Sequence, residues 1–368
     1  MPSPPTSLPA HVYSFGSRPW PESGDLLVDD GDNPVFALDV RDLAPGDYLV
    51  LVDARTRVAS LYSLETGSSQ TLLVPDLAED PPEQFAESSA AFLLGSREPY
   101  PSWRLYDLRA RASWGIGETC RGAFTSDLLS PNGEWIGTVC HEDYQMDGVA
   151  FEHVLVQFLS TRTGTGVQYV VPSVGTTRDQ PSLAWIDEGR ALLSRVHLNG
   201  EFRACAISPE EGTLYCPALG LGARFAVPGE ASPGKPWVPF AGRDRTPTPM
   251  LVPMGCFEVG TTCGRVVEIP WEQPVAIMPS ADPSIIWWSE LRGPDATAEM
   301  GLVDLNALEL RQLVSLGGDY SAYAMCPDGS CLFLYNHDSE THWRLNLDGS
   351  LANVPIGGAA IIGAFSIP

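Results

Sequence analysis

A short apolar strand ending in Leu or Ile, a polar turn and a second strand recur seven times along this chain. The repeated positions are Leu64, Leu108, Leu159, Ile207, Ile269, Leu305 and Leu347, spaced 44, 51, 48, 62, 36 and 42 residues apart. A period of about 47 residues built from hairpins is the sequence signature of a propeller blade. Helical periodicity is nearly absent, and 35 Gly with 33 Pro argue against long helices anywhere. The chain reads as all-β.

The last repeat shows the unit most plainly. Ser321–Met325, Leu332–Tyr335, His342–Leu347 and Leu351–Ile356 are four short strands separated by Pro-Asp-Gly, Asn-His-Asp-Ser-Glu and Asp-Gly-Ser turns. The first repeat has the same parts at Val35–Val40, Tyr48–Asp53, Val58–Leu64 and Thr71–Pro75. Intermediate repeats fall at 85–119, 123–172, 180–222, 236–280 and 282–316, the third opening on a strand at Asp127–Ser130. Pro228–Pro236 reads as a loop between blades. The expectation is a single propeller domain over 13–368 with seven four-stranded blades, six being the alternative count. A Pro/Ser-rich flexible arm or linker at 1–12 precedes it. The apolar tail Ala359–Ile367 is expected to close the ring with the other terminal segment, Ala10–Phe15, because an open ring leaves two bare sheet edges.

Eight cysteines fall into near neighbours: Cys120 with Cys140, Cys205 with Cys216, Cys256 with Cys263, and Cys326 with Cys331. The Pro-Asp-Gly turn between Cys326 and Cys331 sets the two thiols opposite each other across antiparallel strands, at a spacing a disulfide bridges. No C-x₂-C pair of the kind zinc and iron–sulfur sites use is present. Four local disulfides imply an oxidising compartment. Residues 1–10 lack the basic and apolar regions of an export signal, so the expectation is an exported chain whose signal has been removed. It is then extracellular or held at the cell surface, with the periplasm as a further possibility.

Lys and Arg number 22 against 46 Asp and Glu, a formal charge of −24. Such a surface repels nucleic-acid phosphates and anionic lipid, and favours cationic partners or divalent ions. No apolar run approaches the roughly 20 residues of a membrane-spanning helix.

Two hairpins, Leu128-Leu-Ser-Pro-Asn-Gly-Glu-Trp-Ile136 and Ala324-Met-Cys-Pro-Asp-Gly-Ser-Cys-Leu332, resemble the WD40-like (PD40) repeat of TolB-type propellers. Leu183-Ala-Trp-Ile-Asp-Glu-Gly-Arg-Ala191 is a looser copy that carries an extra residue and no Pro. In that family Pro and Asp/Asn-Gly set the turn between the first two strands of a blade. The resemblance covers about a tenth of the chain and implies the fold. The family holds both periplasmic binding scaffolds and the regulatory propellers of prolyl-peptidase-like enzymes, so it does not choose a function.

Few constellations carry chemistry. Asp29, Asp30, Asp32 and Asn33 place four oxygen donors in five residues, a candidate Ca²⁺ site and the one cofactor the sequence suggests. The distal Glu of an EF-hand loop is missing, and a solvated turn explains the same residues. His337, Asp338, Glu340 and His342 invite a metal but fit a turn between strands. No G-x-S-x-G elbow is present and no catalytic residue is assigned. Trp287 and Trp288 are adjacent: the usual place for Trp in a propeller is the core between blades, although strand alternation would point one of the two outward. The leading functional expectation is a non-catalytic scaffold at the bacterial cell surface, binding a protein, a cationic ligand or a glycan. A subunit self-associating into a filament or surface layer through its terminal segments is the alternative. A glycan-active enzyme using the central channel is the third.

Overall fold

The computed structural model describes the strands at 6–7, 10–14 and 35–36, nearly all of 43–74, the strands between 84 and 116, and residues 129–140. It continues through nearly all of 151–175 and 183–217, the strands between 225 and 242, nearly all of 250–268, then 276–279, 285–291, 297–304 and nearly all of 307–367. The described strands form seven antiparallel sheets of four or five strands each. The chain divides into two compact units, one of 1–20 with 118–273 and one of 21–117 with 274–368.

The first unit holds the third, fourth and fifth sheets. The third is Trp135–Cys140, Phe151–Ser160 and Thr165–Gly175, completed by Ala10–Ser14 on its edge. The fourth is Leu183–Trp185, Ala191–Leu198, Glu201–Ile207 and Thr213–Tyr215, with Thr6–Ser7 added at the edge. The fifth is Phe225–Pro228, Trp237–Gly242, Met250–Pro253 and Val267–Glu268. Its strands begin earlier than the expected 236–280 repeat. Of the expected strand at Asp127–Ser130, Asp127 and Leu128 lie outside the described residues, and Leu129 bridges Ile136 ahead of the Pro-Asn-Gly turn.

Period-two alternation explains the packing in this unit. Leu193, Cys205 and Ile207 of the fourth sheet join Val156, Phe158 and Tyr169 of the third in one buried cluster. Their neighbours Leu192 and Ala206 point the other way, into a cluster with Val238, Val252, Cys256 and Phe257. A sheet buried on both faces by its neighbours is what stacked blades require.

The second unit holds the first, second, sixth and seventh sheets. The second is Gln84–Glu87, Ala91–Ser96, Ser102–Asp107 and Ala112–Ile116. The sixth is Ala276–Pro279, Ile285–Leu291, Thr297–Asp304 and Glu309–Gly317, so 276–279 belongs here and not to the fifth repeat. The seventh is Tyr320–Met325, Cys331–Asn336, Thr341–Asn346 and Leu351–Val354, as the last repeat anticipates.

The first sheet departs from its expected order. Gly46–Asp53, Ala59–Ser63 and Ser69–Val74 form a meander; of the expected strand at Val35–Val40 the described part, Val35–Phe36, pairs with Ser69–Val74 at the far edge. The place beside Gly46–Asp53 is taken by the tail Ala359–Ile367, paired from Ala359 with Asp53 to Ile367 with Gly46. Burial drives this choice. Ile361, Ala364 and Phe365 of the tail are buried with Leu49 and Leu51, and Tyr48 stacks on Phe365 at 5.7 Å.

The seventh sheet is also covered on both faces. Cys331 and Phe333 pack with the first-sheet cluster, while Leu332, Leu334 and Leu345 pack with Trp287, Met300 and Leu302 of the sixth. Trp287 and Trp288 are both buried, as the core reading expects and against the outward placement that alternation alone suggests for one of them. Trp287 donates from Nε1 to the Gly329 carbonyl at 3.0 Å, in the turn of the adjacent sheet.

Candidate functional site

The seventh sheet gathers hydroxyl, phenol and imidazole groups at one end. Cross-strand register sets Ser321 opposite Tyr335 and Tyr335 opposite His342, so the three share the face toward the first sheet. A β-bulge between Ala322 and Ala324 inserts Tyr323 into this face and moves Ala324 to the side of Phe333.

The contacts are specific. The Tyr323 hydroxyl bonds Nδ1 of His342. The Tyr335 ring lies 4.8 Å from that of His342 and 4.8 Å from that of His337, which meets it edge-on at 86°. His337 Nε2 and Ser321 Oγ are 3.0 Å apart. Ser321, Tyr323 and Tyr335 are half-buried, His337 is exposed and His342 is buried.

Burial lowers the His342 pKa below its ordinary value, opposed by a hydrogen bond to the Ala359 backbone. A backbone contact that favours the charged imidazole is one in which the ring donates to a carbonyl. The Tyr323 hydroxyl and His342 Nδ1 share one hydrogen bond, its donor set by the tautomer of the ring. Burial, reinforced by Tyr335, pushes the Tyr323 phenol well above its ordinary value. The pair is held neutral and hydrogen-bonded, which suits positioning more than proton transfer.

The turn after this strand carries charge. Asn336 Oδ1 accepts from the backbone N–H of Asp338 and of Ser339. Asp338 Oδ2 accepts from the Asp319 backbone N–H at 3.2 Å. Asp319, Asp338 and Glu340 are all exposed. Glu340 has φ 52°, in the left-handed region, whereas the nine other described left-handed positions are glycine.

His337, Asp338, Glu340 and His342 do not converge as metal ligands. His342 faces inward onto Tyr323 and His337 turns outward onto Ser321. Among the described residues no group of three His, Cys, Asp or Glu gathers as a metal site. Asp29, Asp30, Asp32 and Asn33 lie outside the described residues, and so does Cys120 with its expected partnership to Cys140. The other three cysteine pairs are bonded as spaced: Cys205–Cys216, Cys256–Cys263 and Cys326–Cys331. Sequence reasoning missed Tyr323 and Tyr335. The alternation of Ser321, Tyr335 and His342 was readable from the hairpin, but the bulge that delivers Tyr323 has no local signal.

No protein-family model matches the sequence, and no curated protein matches it. The fold is similar to that of a functionally unknown protein from Desulfotomaculum acetoxidans, at 14% identity and TM-score 0.51, over 86% of this chain and 99% of that one. It is similar to the acylaminoacyl peptidase of Pyrococcus horikoshii at 11% identity and TM-score 0.54, over 83% of this chain but only 50% of that one. TolB from Acinetobacter baumannii matches at 13% identity and TM-score 0.44, over 88% of this chain and 80% of that one. At these identities the likeness is one of fold alone.

Proposed function

We propose that this protein is a non-catalytic scaffold outside the bacterial cell that binds a cationic protein or ligand at the turn end of its seventh sheet. Glu340 carries the reading. A left-handed conformation costs an L-residue about 1–2 kcal/mol, which glycine avoids. Among the described residues this cost is accepted only at Glu340, an exposed carboxylate two residues along the turn from exposed Asp338, whose Oδ2 accepts from the Asp319 backbone N–H. Strain retained beside a surface of mixed aromatic and charged groups is grounds for a recognition role. The formal charge of −24 draws cationic partners toward that surface and repels anionic ones. The three described disulfides support an oxidising compartment. Their local spans support a rigid platform in place of moving parts.

The self-assembling alternative uses 1–10 and 359–367 as linking strands. Those segments already have partners in the chain: Thr6–Ser7 on 213–214, Ala10–Ser14 on 165–169 and the tail on 46–53. Linking neighbouring molecules would mean exchanging these strands between copies.

Affinity purification from the cell envelope of the source tests the proposal, comparing the native chain with an Asp319→Asn/Glu340→Gln variant. A partner that is lost from the variant and also released by added salt supports it. A variant that keeps every partner, or a native chain that turns over a glycan, sinks it.

A further inference from the structure

The three described disulfides differ in how they meet solvent. Cys205 and Cys216 are both buried, at 0% and 5% exposure, and so are Cys326 and Cys331, at 2% and 0%. The Cys256–Cys263 bridge is asymmetric. Cys256 is 1% exposed and packed with Ile186, Val238, Val252 and Phe257, while Cys263 stands exposed in a stretch, 259–264, that is exposed throughout. This bridge runs from the core to the surface.

Thiol–disulfide exchange needs a thiolate to approach one sulfur in line with the bond, from the side opposite the leaving sulfur. At Cys263 that approach comes from solvent. At Cys256 and at the four cysteines of the other two bridges it would come through packed side chains. The loop also has anchors of its own. Arg190 donates from Nη1 to the Phe257 carbonyl at 3.1 Å and pairs with Glu258 at 3.5 Å. The Thr261 backbone N–H donates to the Glu258 carbonyl at 3.3 Å. Opening the bridge therefore frees the Cys263 side of the loop without dislodging Cys256 and Phe257 from the core.

We propose that Cys263 is a thiol-exchange site of the folded protein, taking a small-molecule thiol such as glutathione as co-reactant. The thiolate attacks Cys263 Sγ, an S–S bond forms to it, and the Cys256–Cys263 bond breaks. The electron pair leaves on Cys256 Sγ, which takes a proton from water. A second thiolate then attacks the small-molecule sulfur of the mixed disulfide and releases Cys263 as thiolate. In sum the bridge gains two electrons and two small-molecule thiols become one disulfide. The consequence is a redox-sensitive clasp on an exposed loop whose tip, Val259, is 61% exposed.

The test uses the intact folded chain and reduced glutathione, with timed alkylation and peptide mapping. The expected result is labelling of Cys256 and Cys263 at least about tenfold faster than Cys205, Cys216, Cys326 or Cys331, with the glutathionyl adduct on Cys263. Circular dichroism stays unchanged while this happens. In a Cys256→Ser/Cys263→Ser variant the other two bridges keep their native rates. Release of all three bridges together, an adduct on Cys256, or no reaction before unfolding would overturn the proposal.

Discussion

Gly301 stands opposite Trp288 in the sixth sheet, and the indole Nε1 lies where a side chain on the glycine would begin. A Cβ there would come within 2.8 Å of that nitrogen and 2.2 Å of the Arg311 carbonyl oxygen. The second neighbour is backbone, held in register beside a bulge at Met300/Gly301, and cannot rotate away. Gly301 is thus a packing requirement of the buried Trp288 and of the adjacent strand at Arg311 and Gln312.

Gly301→Ala should cost about 2–3 kcal/mol in denaturant unfolding, the range for overpacking a tight interior. Gly317 in the same sheet has nothing within 4 Å of an added Cβ. Gly317→Ala should be neutral or gain up to about 1 kcal/mol by restricting the unfolded chain. Equal losses at both positions would show that the close contacts at Gly301 are not what matters.

The His342 imidazole sits neutral between Tyr323 and Ala359, with its pKa lowered by burial. Between the lowered folded pKa and the ordinary value of 6.5, the unfolded chain binds more protons than the folded one. Stability is therefore full above 6.5 and falls as pH drops through 6.5 toward the folded pKa. Urea unfolding between about pH 8 and pH 5 should show this decline, and His342→Gln should flatten it. Tyr323→Phe leaves the buried Nδ1 without its hydrogen-bond partner and should cost about 1–2 kcal/mol near neutrality.

Glu340→Gly relieves a left-handed residue at φ 52°. It should raise stability by about 0.5–1 kcal/mol after the entropy of the added glycine is allowed for. The same change should weaken capture of a cationic partner, read by comparing bound fractions at low salt. Greater stability with undiminished binding would separate the strain from recognition.

The Cys326–Cys331 bridge closes a short turn, five residues apart in sequence. Replacing both cysteines by Ala should cost about 2 kcal/mol, the low end for loop closure. Guanidinium unfolding under non-reducing conditions measures it.

The candidate site was only partly legible. Turn chemistry at Asn336–Thr341 and the cross-strand order of Ser321, Tyr335 and His342 follow from a hairpin read two residues at a time. Glutamate in a left-handed conformation carries no mark in the sequence, since it has neither the local side-chain bonding of Asn nor the missing Cβ of Gly. At the adjacent Trp287 and Trp288 alternation taken alone misleads. Alternation correctly sends them to opposite faces, but both faces of the sixth sheet are covered, so both rings are buried.

The chain by itself determined the local grammar: strands, Pro-Asn/Asp-Gly turns and cysteine pairs held across short loops. Each depends on residues close in sequence, where φ preferences and period-two alternation act directly. Only the tertiary structure decided partners across long separations. The tail displaced Val35–Phe36 from the edge beside Gly46–Asp53, a bulge turned Tyr323 onto His342, and Cys263 came to the surface while Cys256 went to the core. Such choices rest on how much apolar surface each alternative pairing buries, and that sum runs over residues hundreds of positions apart.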